Sequence, residues 1–304
     1  FIHVPTFKAA AEGTECKVIF AHHFEPRWEL VFGSFAETIK YSPSSFVDFA
    51  RWIKSIIMYP LKSMSKKKQL SSAYRIAYQR ADHAVLLSRS FIKSYGVFAG
   101  IQDQSKYVVI PNALSFDITP SFNKLSKQKE VLIVARFDEA SKRLSLALRI
   151  WALLKQDPVA KDWTLRIVGE GNSRALYERI IRDEQISDVF LEGRQDPIPY
   201  YKEASIFMMT SRSESWGLTL TEAQQMGVVP IAFDTYASLH DIITDGENGV
   251  VIEEGDIDSY VNRMKILMSD KKLWQGMAKQ AIESSQQFSQ ESVAEMWWEL
   301  LSQE

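Results

Sequence analysis

Short apolar runs alternate along the chain with longer segments in which apolar residues recur at helical spacing. The runs that predict strands lie at residues 1–4, 16–21, 81–88, 107–112, 131–135, 164–168, 189–191, 206–209 and 229–232. Runs of this length bounded by turn-forming residues are typical of buried strands. Because strands alternate with helices, the pattern predicts parallel βαβ units and an α/β fold, with a doubly wound sheet over the last five runs.

A polar segment separates the two groups of strands. Residues 118–130 show no sustained period, which is typical of a linker. A length of 304 residues suits two domains. We therefore expect a first domain over 1–117 and a second over 118–289. The final helix, residues 290–304, is expected to cross back to the first domain, and its apolar stripe comprises Val293, Met296, Trp297 and Leu300.

The composition is that of a folded globular protein. Hydrophobic residues make up 46% and charged residues 24%, which excludes collagen, low-complexity disorder and coiled coil. No run of about 18 apolar residues occurs, so no membrane-spanning helix is predicted. Cys16 is the single cysteine, which excludes an internal disulfide and favours a reducing compartment. The expected location is the cytoplasm.

Charge is distributed unevenly between the two halves. Residues 1–117 carry 15 Lys and Arg against 9 Asp and Glu, a formal charge of +6, whereas the remainder carries 21 against 29, a formal charge of −8. Such a division is compatible with a basic surface for an anion or lipid headgroup, and equally with ordinary solvated faces.

Residues 51–80 concentrate the positive charge. The segment carries no acid, and its eight cations are Arg51, Lys54, Lys62, Lys66, Lys67, Lys68, Arg75 and Arg80. Large apolar residues lie between them, so one interpretation is peripheral contact with the inner face of a membrane. The other is a solvated basic loop over the core, because Pro60 is expected to break the helix that such an anchor needs.

Several common catalytic motifs are absent. The sequence has no P-loop, no G-x-S-x-G turn and no H-E-x-x-H pair. Gly169-Glu-Gly171 follows a predicted strand, as a dinucleotide-binding turn would, and Glu192 lies where a ribose-binding acid is expected. Arg174 occupies the place of the third glycine, so that fingerprint is incomplete. Asp256-Ile-Asp258 has a metal-site spacing but precedes a helix, which favours a capping role.

The segment 210–227 combines a strand end, a glycine turn and a helix start. The helix is predicted to begin near Leu218 and to stop at Gly227, so the free N–H groups of its first turn suit an anion. Glu214 precedes this helix and Glu222 lies within it. Carboxylate oxygens accept hydrogen bonds from sugar hydroxyls, and the two acids can therefore face different parts of one ligand.

Two cations are predicted at the same sheet edge. Arg136 lies just beyond the strand 131–135, and Lys142 follows six residues later. Cations beside a helix N-terminus can bind a diphosphate. Surface salt bridges are the alternative for either residue.

These motifs together resemble the retaining GT-B glycosyltransferases of family 4. The matching stretches occur in the family's order between residues 134 and 249. They are Val-Ala-Arg136-Phe with Lys142, Val-Gly169-Glu-Gly171, Phe-Leu-Glu-Gly193-Arg194, Ser211-Arg-Ser-Glu214-Ser-Trp-Gly-Leu, Glu222-Ala, Met-Gly227-Val-Val-Pro230 and Asp245-Gly-Glu-Asn-Gly249. The resemblance implies two Rossmann-like domains that face each other across a cleft.

The resemblance also implies roles for individual residues. Arg136 and Lys142 would hold the donor diphosphate, Glu214 would meet the donor sugar, and these three form the expected catalytic set. Further donor-binding positions would be Glu222 at the ribose, Gly193 and Arg194 beside the base, Gly171 in its glycine turn, and main-chain groups at Ser215, Trp216, Gly217, Leu218 and Thr219. The family usually has glycine at the position of Ser215.

The first half resembles the family's acceptor domain less closely. Residues 81–88 and 107–112 match in order, and the His22-His23 pair ends a strand where the family often has a sugar-contacting histidine; His23 is favoured, with a buried structural histidine as the alternative. The family's first strands and their glycine-rich loop have no counterpart. The N-terminal domain is therefore expected to be incomplete, and the chain is expected to bind donor but to transfer sugar poorly.

The implied reaction is transfer of a hexosyl unit from a nucleotide diphosphate sugar to an acceptor hydroxyl with retention. The resemblance implies no metal and no cofactor, because cations and a helix terminus take the leaving charge. The acceptor would be a saccharide or a lipid-linked molecule in surface polysaccharide or glycolipid synthesis, and no nucleic acid is expected. Two alternatives stay open: a nucleotide-sugar epimerase of the same architecture, and a non-catalytic nucleotide-sugar binding protein.

Overall fold

The computed structural model describes residues 3–30, 46–118 and 126–302. The chain divides into two compact units, Phe1–Ile110 and Pro111–Glu304. This division lies a few residues before the domain boundary predicted at 117/118, and the final helix is grouped with the second unit. The crossing of that helix to the first domain stays a prediction. Of the predicted linker, residues 119–125 lie outside the described residues.

Over residues 3–30 and 46–110, the first unit contains three α-helices and a three-stranded sheet. The helices are α1 (Val4–Ala10), α2 (Phe46–Arg80) and α3 (Ser90–Ala99). The strands are β1 (Ile19–His22), β2 (His83–Leu86) and β3 (Tyr107–Val109). All pairs are parallel in the order β1-β2-β3. The strands predicted at 16–21, 81–88 and 107–112 are therefore confirmed, although each strand is shorter than the predicted run.

The strand predicted at residues 1–4 is wrong. His3 and Val4 enter α1, while the first two residues lie outside the described part. Pro5 occupies the first turn of this helix. Proline has no N–H to give to a strand ladder, but the first helical turn leaves its N–H groups unpaired in any case.

The helix α2 runs without interruption through Pro60. The expectation that Pro60 breaks the helix is therefore wrong. A proline costs a helix one N–H donor and about 3 kcal/mol. Packing of the C-terminal part, where Tyr74, Ala77 and Tyr78 are buried, offsets that cost. No helix among the described residues is long and apolar enough to cross a membrane.

The second unit is built on a six-stranded parallel sheet. Its strands are β4 (Glu130–Val134), β5 (Thr164–Val168), β6 (Val189–Gly193), β7 (Ile206–Met209), β8 (Val229–Asp234) and β9 (Val250–Glu253). The helices are α4 (Glu139–Lys142), α5 (Leu144–Leu154), α6 (Arg174–Asp183), α7 (Ile198–Glu203), α8 (Leu218–Gln225), α9 (Leu239–Ile242), α10 (Ile257–Ser269), α11 (Lys271–Ser285) and α12 (Gln290–Ser302).

Five of these strands match the predicted runs, and β9 was missed. Its apolar part is only Val250–Ile252, which is shorter than the run of four that sequence patterns require. The inner strands β4, β7 and β8 are buried on both faces, as is typical of a parallel sheet, whereas the edge strand β6 is partly exposed. On β4, Val131 and Ile133 join the core shared with α5 and α10, whereas Leu132 is buried on the opposite face.

The strand order is β6-β5-β4-β7-β8-β9. The chain winds outward from β4 in one direction through β5 and β6, then returns to β7 beside β4 and winds the other way. The order therefore reverses between β4 and β7. In open α/β sheets, the loops after the two strands at such a reversal diverge and leave a crevice at the carboxyl edge, where ligands bind.

Candidate active site

The carboxyl ends of β4 and β7 bring together residues that are distant in sequence. Arg136 and Lys142 follow β4, the latter as the last residue of α4, and Glu214 follows β7. Since the two strands are parallel neighbours, their following loops lie at one edge of the sheet. The structure thus places these loops at the topological reversal.

Lys142 and Glu214 form an ion pair between these loops. Both side chains are mostly buried, with 16% and 15% of their surface exposed. The cleft at the carboxyl ends of β4 and β7 is small, about 10 Å³, and both residues line it together with Ala135, Thr210, Ser211, Thr219 and apolar residues of the two strands. One cation, one carboxylate and the first turn of a helix therefore meet in one cleft.

Thr210 ties the loop after β7 to the loop after β4. Its hydroxyl donates to the carbonyl oxygens of Lys142 at 3.0 Å and Arg143 at 3.1 Å. The Arg212 N–H donates to the Ser141 carbonyl at 2.8 Å. These backbone contacts restrain the separation of the two loops, and hence that of Lys142 and Glu214.

The helix α8 begins at the cleft because Gly217 turns the chain. Gly217 has a left-handed backbone with φ of 91°, and a Cβ there would approach the Tyr236 hydroxyl to 2.9 Å. Glycine is thus required both for the backbone angle and for space. Leu218 is partly exposed and Thr219 lines the cleft. The start predicted near Leu218 is confirmed, and free N–H groups of a first helical turn favour anions.

The two residues before Gly217 are held by the surrounding structure. The Ser215 carbonyl accepts a hydrogen bond from the Ser238 hydroxyl at 3.2 Å. The Trp216 side chain is buried and meets the Phe288 ring edge to face at 5.3 Å between centroids. The Trp216 indole therefore packs in the core, and only main-chain groups of this residue remain as candidates for ligand contact.

Glu222 is buried and already hydrogen bonded. Its Oε1 accepts from the Ser115 hydroxyl, and its Oε2 accepts from the Tyr201 hydroxyl at 2.9 Å. Burial raises the pKa of the Glu222 carboxyl, and the two hydrogen bonds oppose that rise. Each carboxylate oxygen has a second lone pair, so further hydroxyl donors can still be accepted. Contact with a ribose stays a prediction.

Gly169 and Gly171 let the loop after β5 lie directly against the loop after β4. A Cβ at Gly169, where φ is 147°, would lie 1.8 Å from the Ala135 carbonyl oxygen. A Cβ at Gly171 would lie 2.6 Å from the Phe137 carbonyl oxygen. The Phe137 N–H donates to the Glu170 carbonyl at 2.9 Å. The glycines therefore have a packing reason, which also brings Gly171 close to the loop that carries Arg136.

The remaining donor-site candidates are spread along the same edge. Gly193 ends β6 with φ of 75°, and its carbonyl accepts from the Gly169 N–H at 2.8 Å. Arg194 is exposed, with β5 between its strand and β4. The Arg136 side chain is exposed and has no ion pair or hydrogen bond within the described part of the chain. Neither arginine is among the residues that line the cleft.

Glu192 and Asp256, the acids that the sequence offered for a ribose site and a metal site, make structural contacts. Glu192 forms an ion pair with Arg166, whose Nε also binds Glu130 at 2.6 Å. A ribose-binding role for Glu192 is therefore not favoured. Asp256 caps α10 by accepting from the Ser259 N–H at 2.9 Å, which confirms the capping interpretation.

The adjacent histidines His22 and His23 have different environments. His23 is exposed and directly follows β1. His22 is buried, with its ring 5.3 Å from that of Tyr74 and 5.7 Å from that of Tyr95. Burial lowers the pKa of His22 to about 4. His22 is thus a structural histidine, and the acceptor-side role of His23 stays a prediction.

Some residues at the site have no motif in the sequence. Thr210 could have been identified as the polar residue that directly follows a buried strand. Ser115 and Tyr201 carried no such signal, because only the fold brings them to Glu222. Within residues 3–30, 46–118 and 126–302, no group of three or more His, Cys, Asp or Glu is placed to hold a metal ion.

Comparison with known proteins identifies similar chains. The family model described as Glycosyl transferases group 1 matches residues 116–284, more than half of the chain. Poly(glycerol-phosphate) alpha-glucosyltransferase of Bacillus subtilis (strain 168) is 25% identical over 272 residues, which are 87% of this chain and 38% of that protein.

Two solved structures are similar in fold. Anabaena HepE in complex with UDP has a TM-score of 0.71 at 17% identity, over 98% of this chain and 76% of that chain. The pneumococcal O-GlcNAc transferase GtfA in complex with UDP and GlcNAc has a TM-score of 0.67 at 20% identity, over 77% and 47%. The fold is that of GT-B glycosyltransferases. The chain spans less than two thirds of the length of the curated relatives it matches.

Proposed function

The chain belongs to the glycosyl transferases group 1 family, and from this premise we propose that it transfers a hexosyl unit from a nucleotide diphosphate sugar to an acceptor hydroxyl with retention at the anomeric carbon. The observation that carries the proposal is the meeting of Lys142, Glu214 and Thr219 in the cleft at the topological reversal. This arrangement supplies a cation and a helix N-terminus for a diphosphate, and a carboxylate for sugar hydroxyls.

The diphosphate is proposed to bind between Lys142 and the first turn of α8. Its charge would give Lys142 a second anionic partner besides Glu214, and Arg136 would add a further cation from the same loop. The leaving diphosphate gains negative charge as the glycosidic bond breaks, and these groups stabilise that charge. We therefore propose that the reaction needs no metal ion.

The acceptor hydroxyl is proposed to attack from the face that the diphosphate leaves. A phosphate oxygen can then take the acceptor proton, and the anomeric configuration is retained without a protein nucleophile. Glu214 accepts hydrogen bonds from donor sugar hydroxyls and orients the ring. Glu222 faces the ribose, with Gly193 and Arg194 towards the base and Gly171 and the main chain of 215–219 towards the phosphates and sugar.

The nature of the acceptor is proposed from the relatives. The Bacillus subtilis relative acts, by its name, on poly(glycerol-phosphate), a chain of alternating polyol and phosphate. A saccharide or lipid-linked acceptor in surface polysaccharide or glycolipid synthesis fits this relationship, and His23 is the proposed contact on the acceptor side. UDP is the first nucleotide to test, because the two solved structures above contain it.

Calorimetry with UDP and GDP, followed by an assay with the UDP-sugars and a saccharide acceptor, tests the proposal. We expect micromolar nucleotide binding and slow transfer, with any product showing an anomeric proton coupling in NMR that matches the donor configuration. Interconversion of the donor sugar without acceptor would instead indicate an epimerase. Absence of nucleotide diphosphate binding, or a product of inverted configuration, would contradict the proposal.

Peripheral membrane contact through α2 is proposed as a separate property. Along this helix, Ile53, Ile57, Leu61 and Met64 recur at intervals of four, four and three residues, which places them on one stripe. They are 38%, 68%, 62% and 69% exposed. Exposed cations flank the stripe at Lys54, Lys67 and Lys68. Anionic lipid headgroups would meet these cations while the stripe enters the headgroup layer, at about 1 kcal/mol per cation.

Sedimentation with phosphatidylserine vesicles at low and high salt tests this contact. Changing Lys54, Lys67 and Lys68 to Gln should abolish low-salt binding, because the attraction to the anionic surface is lost. Changing Lys161, Lys271 and Lys272 to Gln is the matched control, since it removes the same charge from exposed positions in the second unit. Equal binding by both triple variants, or none by the unmodified chain, would favour the solvated-surface alternative.

A further inference from the structure

We propose that Arg143 is a positioning residue that holds Lys142 and Glu214 at the separation needed for donor binding. The inference rests on the proposed function, since it concerns the same cleft. Arg143 directly follows Lys142, and its guanidinium binds the loop that leads to Glu214. Together with Thr210, it thus links the two strand-end loops at their base.

The backbone of Arg143 sets the direction of Lys142. Arg143 has φ of 50° and ψ of 46°, a left-handed conformation between the end of α4 and the start of α5. That conformation is unfavourable for a residue with a Cβ and is usually taken by glycine. It is retained here because contacts of the Arg143 side chain stabilise it. The turn allows Lys142 to end one helix while Leu144 begins the next.

The guanidinium of Arg143 makes three directed contacts. Its Nε donates to the Thr210 carbonyl at 2.8 Å, and one Nη donates to the Ser211 carbonyl at 3.1 Å. The other Nη binds Glu254 at 3.1 Å. The plane also lies over the Phe233 ring, 5.8 Å from its centroid. The side chain is only 15% exposed, so these contacts are largely shielded from water.

Two of those contacts end on the segment that carries Glu214. Thr210 and Ser211 are the first two residues after β7, and Glu214 follows three residues later. The Thr210 hydroxyl returns hydrogen bonds to the carbonyls of Lys142 and Arg143. A planar fork that binds adjacent carbonyls suits arginine and not lysine, whose single ammonium cannot span both.

Arg143 acts through Lys142 and Glu214 and not on the ligand. Its donors point to the two carbonyls and Glu254, and it does not line the cleft among the described residues. Loss of the guanidinium is therefore expected to let the two loops separate while the residues that would touch the donor remain in the chain. The expected signature is weaker donor binding without loss of the fold.

Arg143→Gly is the most informative variant, because glycine favours the left-handed backbone while the guanidinium is removed. With the full chain, we expect UDP affinity at least tenfold weaker, with the thermal midpoint changed little. Amide hydrogen exchange at residues 139–143 and 210–214 should be faster. Arg143→Lys should behave like Arg143→Gly in binding and serves as the second variant if the first is unstable.

Two controls isolate the contacts to the β7 loop. Glu254→Gln removes only the outer ion pair, and Arg149→Ala removes an exposed arginine on α5; both should keep wild-type affinity. In a Lys142→Ala background, Arg143→Gly should reduce UDP affinity by less than a further threefold, because the cation that it positions for the diphosphate is already absent. Failure of the unmodified chain to bind UDP would count against the proposed function. If the unmodified chain binds UDP, and Arg143→Gly shows the same UDP affinity and the same amide hydrogen exchange, the inference about Arg143 is overturned.

Discussion

Lys142 and Glu214 are 72 residues apart in sequence and form an ion pair across the loops that follow β4 and β7. Each is mostly buried, so each would be costly to leave unpaired. A ligand that binds one of these two side chains must therefore weaken or replace its contact with the other. On the proposed function, a diphosphate that engages Lys142 would leave Glu214 available to hydroxyl donors of the sugar.

Loss of the lysine charge should weaken nucleotide binding. We expect Lys142→Ala to reduce the affinity for a nucleoside diphosphate by about 2 kcal/mol, because a charge-assisted contact is removed. Isothermal calorimetry measures the change. Lys161→Ala, at an exposed lysine just before β5, is the control and should bind as the unmodified chain does. An unchanged affinity in Lys142→Ala would remove this residue from the site.

The two glutamates should affect different ligands. Glu222→Gln should weaken binding of nucleoside diphosphate and sugar nucleotide alike, since both contain the ribose. Glu214→Gln should weaken mainly the intact donor, because only that ligand presents sugar hydroxyls to Glu214. Parallel titrations with UDP and with a UDP-sugar give, for each variant, the ratio of the affinity losses for the two ligands. The same ratio in both variants would show that the proposed division between the acids is wrong.

Gly169 should tolerate no side chain. A Cβ there would lie 1.8 Å from the Ala135 carbonyl oxygen at a φ of 147°, so Gly169→Ala must displace backbone. We expect a loss of about 3 kcal/mol in the free energy of unfolding. Gly276→Ala, within α11 and with nothing within 4 Å of its added Cβ, should instead gain several tenths of a kcal/mol or more. Urea denaturation of the two variants gives the comparison.

The buried His22 should make stability depend on acid pH. Burial lowers the pKa of His22 from 6.5 to about 4, so the unfolded chain binds its proton at a higher pH than the folded chain does. Stability that is present above pH 6.5 is then lost as the pH falls to about 4, by up to about 3 kcal/mol. His22→Phe should lack this loss relative to the unmodified chain.

Thermal melts between pH 4 and 7 measure that difference. His23→Gln is the control, because His23 is exposed and follows the same strand. The control should retain most of the pH dependence of the unmodified chain, because burial is the largest cause of the lowered His22 pKa and His23 is a smaller one. Identical profiles for His22→Phe and the unmodified chain would assign the acid sensitivity to other groups.

The strands could be predicted because their determinants are local. The runs at 164–168 and 206–209 coincide with the strands β5 and β7, because burial within the sheet favours apolar residues at the strand positions themselves. The start of α8 followed from a glycine before an apolar-periodic segment. Local signals failed at two places. The strand β9 has too few apolar residues to be recognised as a strand, and Pro60 lies within a helix that is long enough to continue despite the proline.

The candidate site residues of the second unit could also be proposed from residue type and position in the sequence, since Arg136, Lys142 and Glu214 follow strands and Glu222 lies in the helix after the glycine turn. The partners of these residues could not be predicted in this way. The reversal of strand order between β4 and β7 brings Lys142 to Glu214, and folding of separate segments brings Ser115 and Tyr201 to Glu222. The link through Arg143 also depends on the fold, because a left-handed arginine is stabilised by carbonyls 67 and 68 residues away. Such contacts depend on loop closure and packing of the whole unit, which a single sequence does not specify locally.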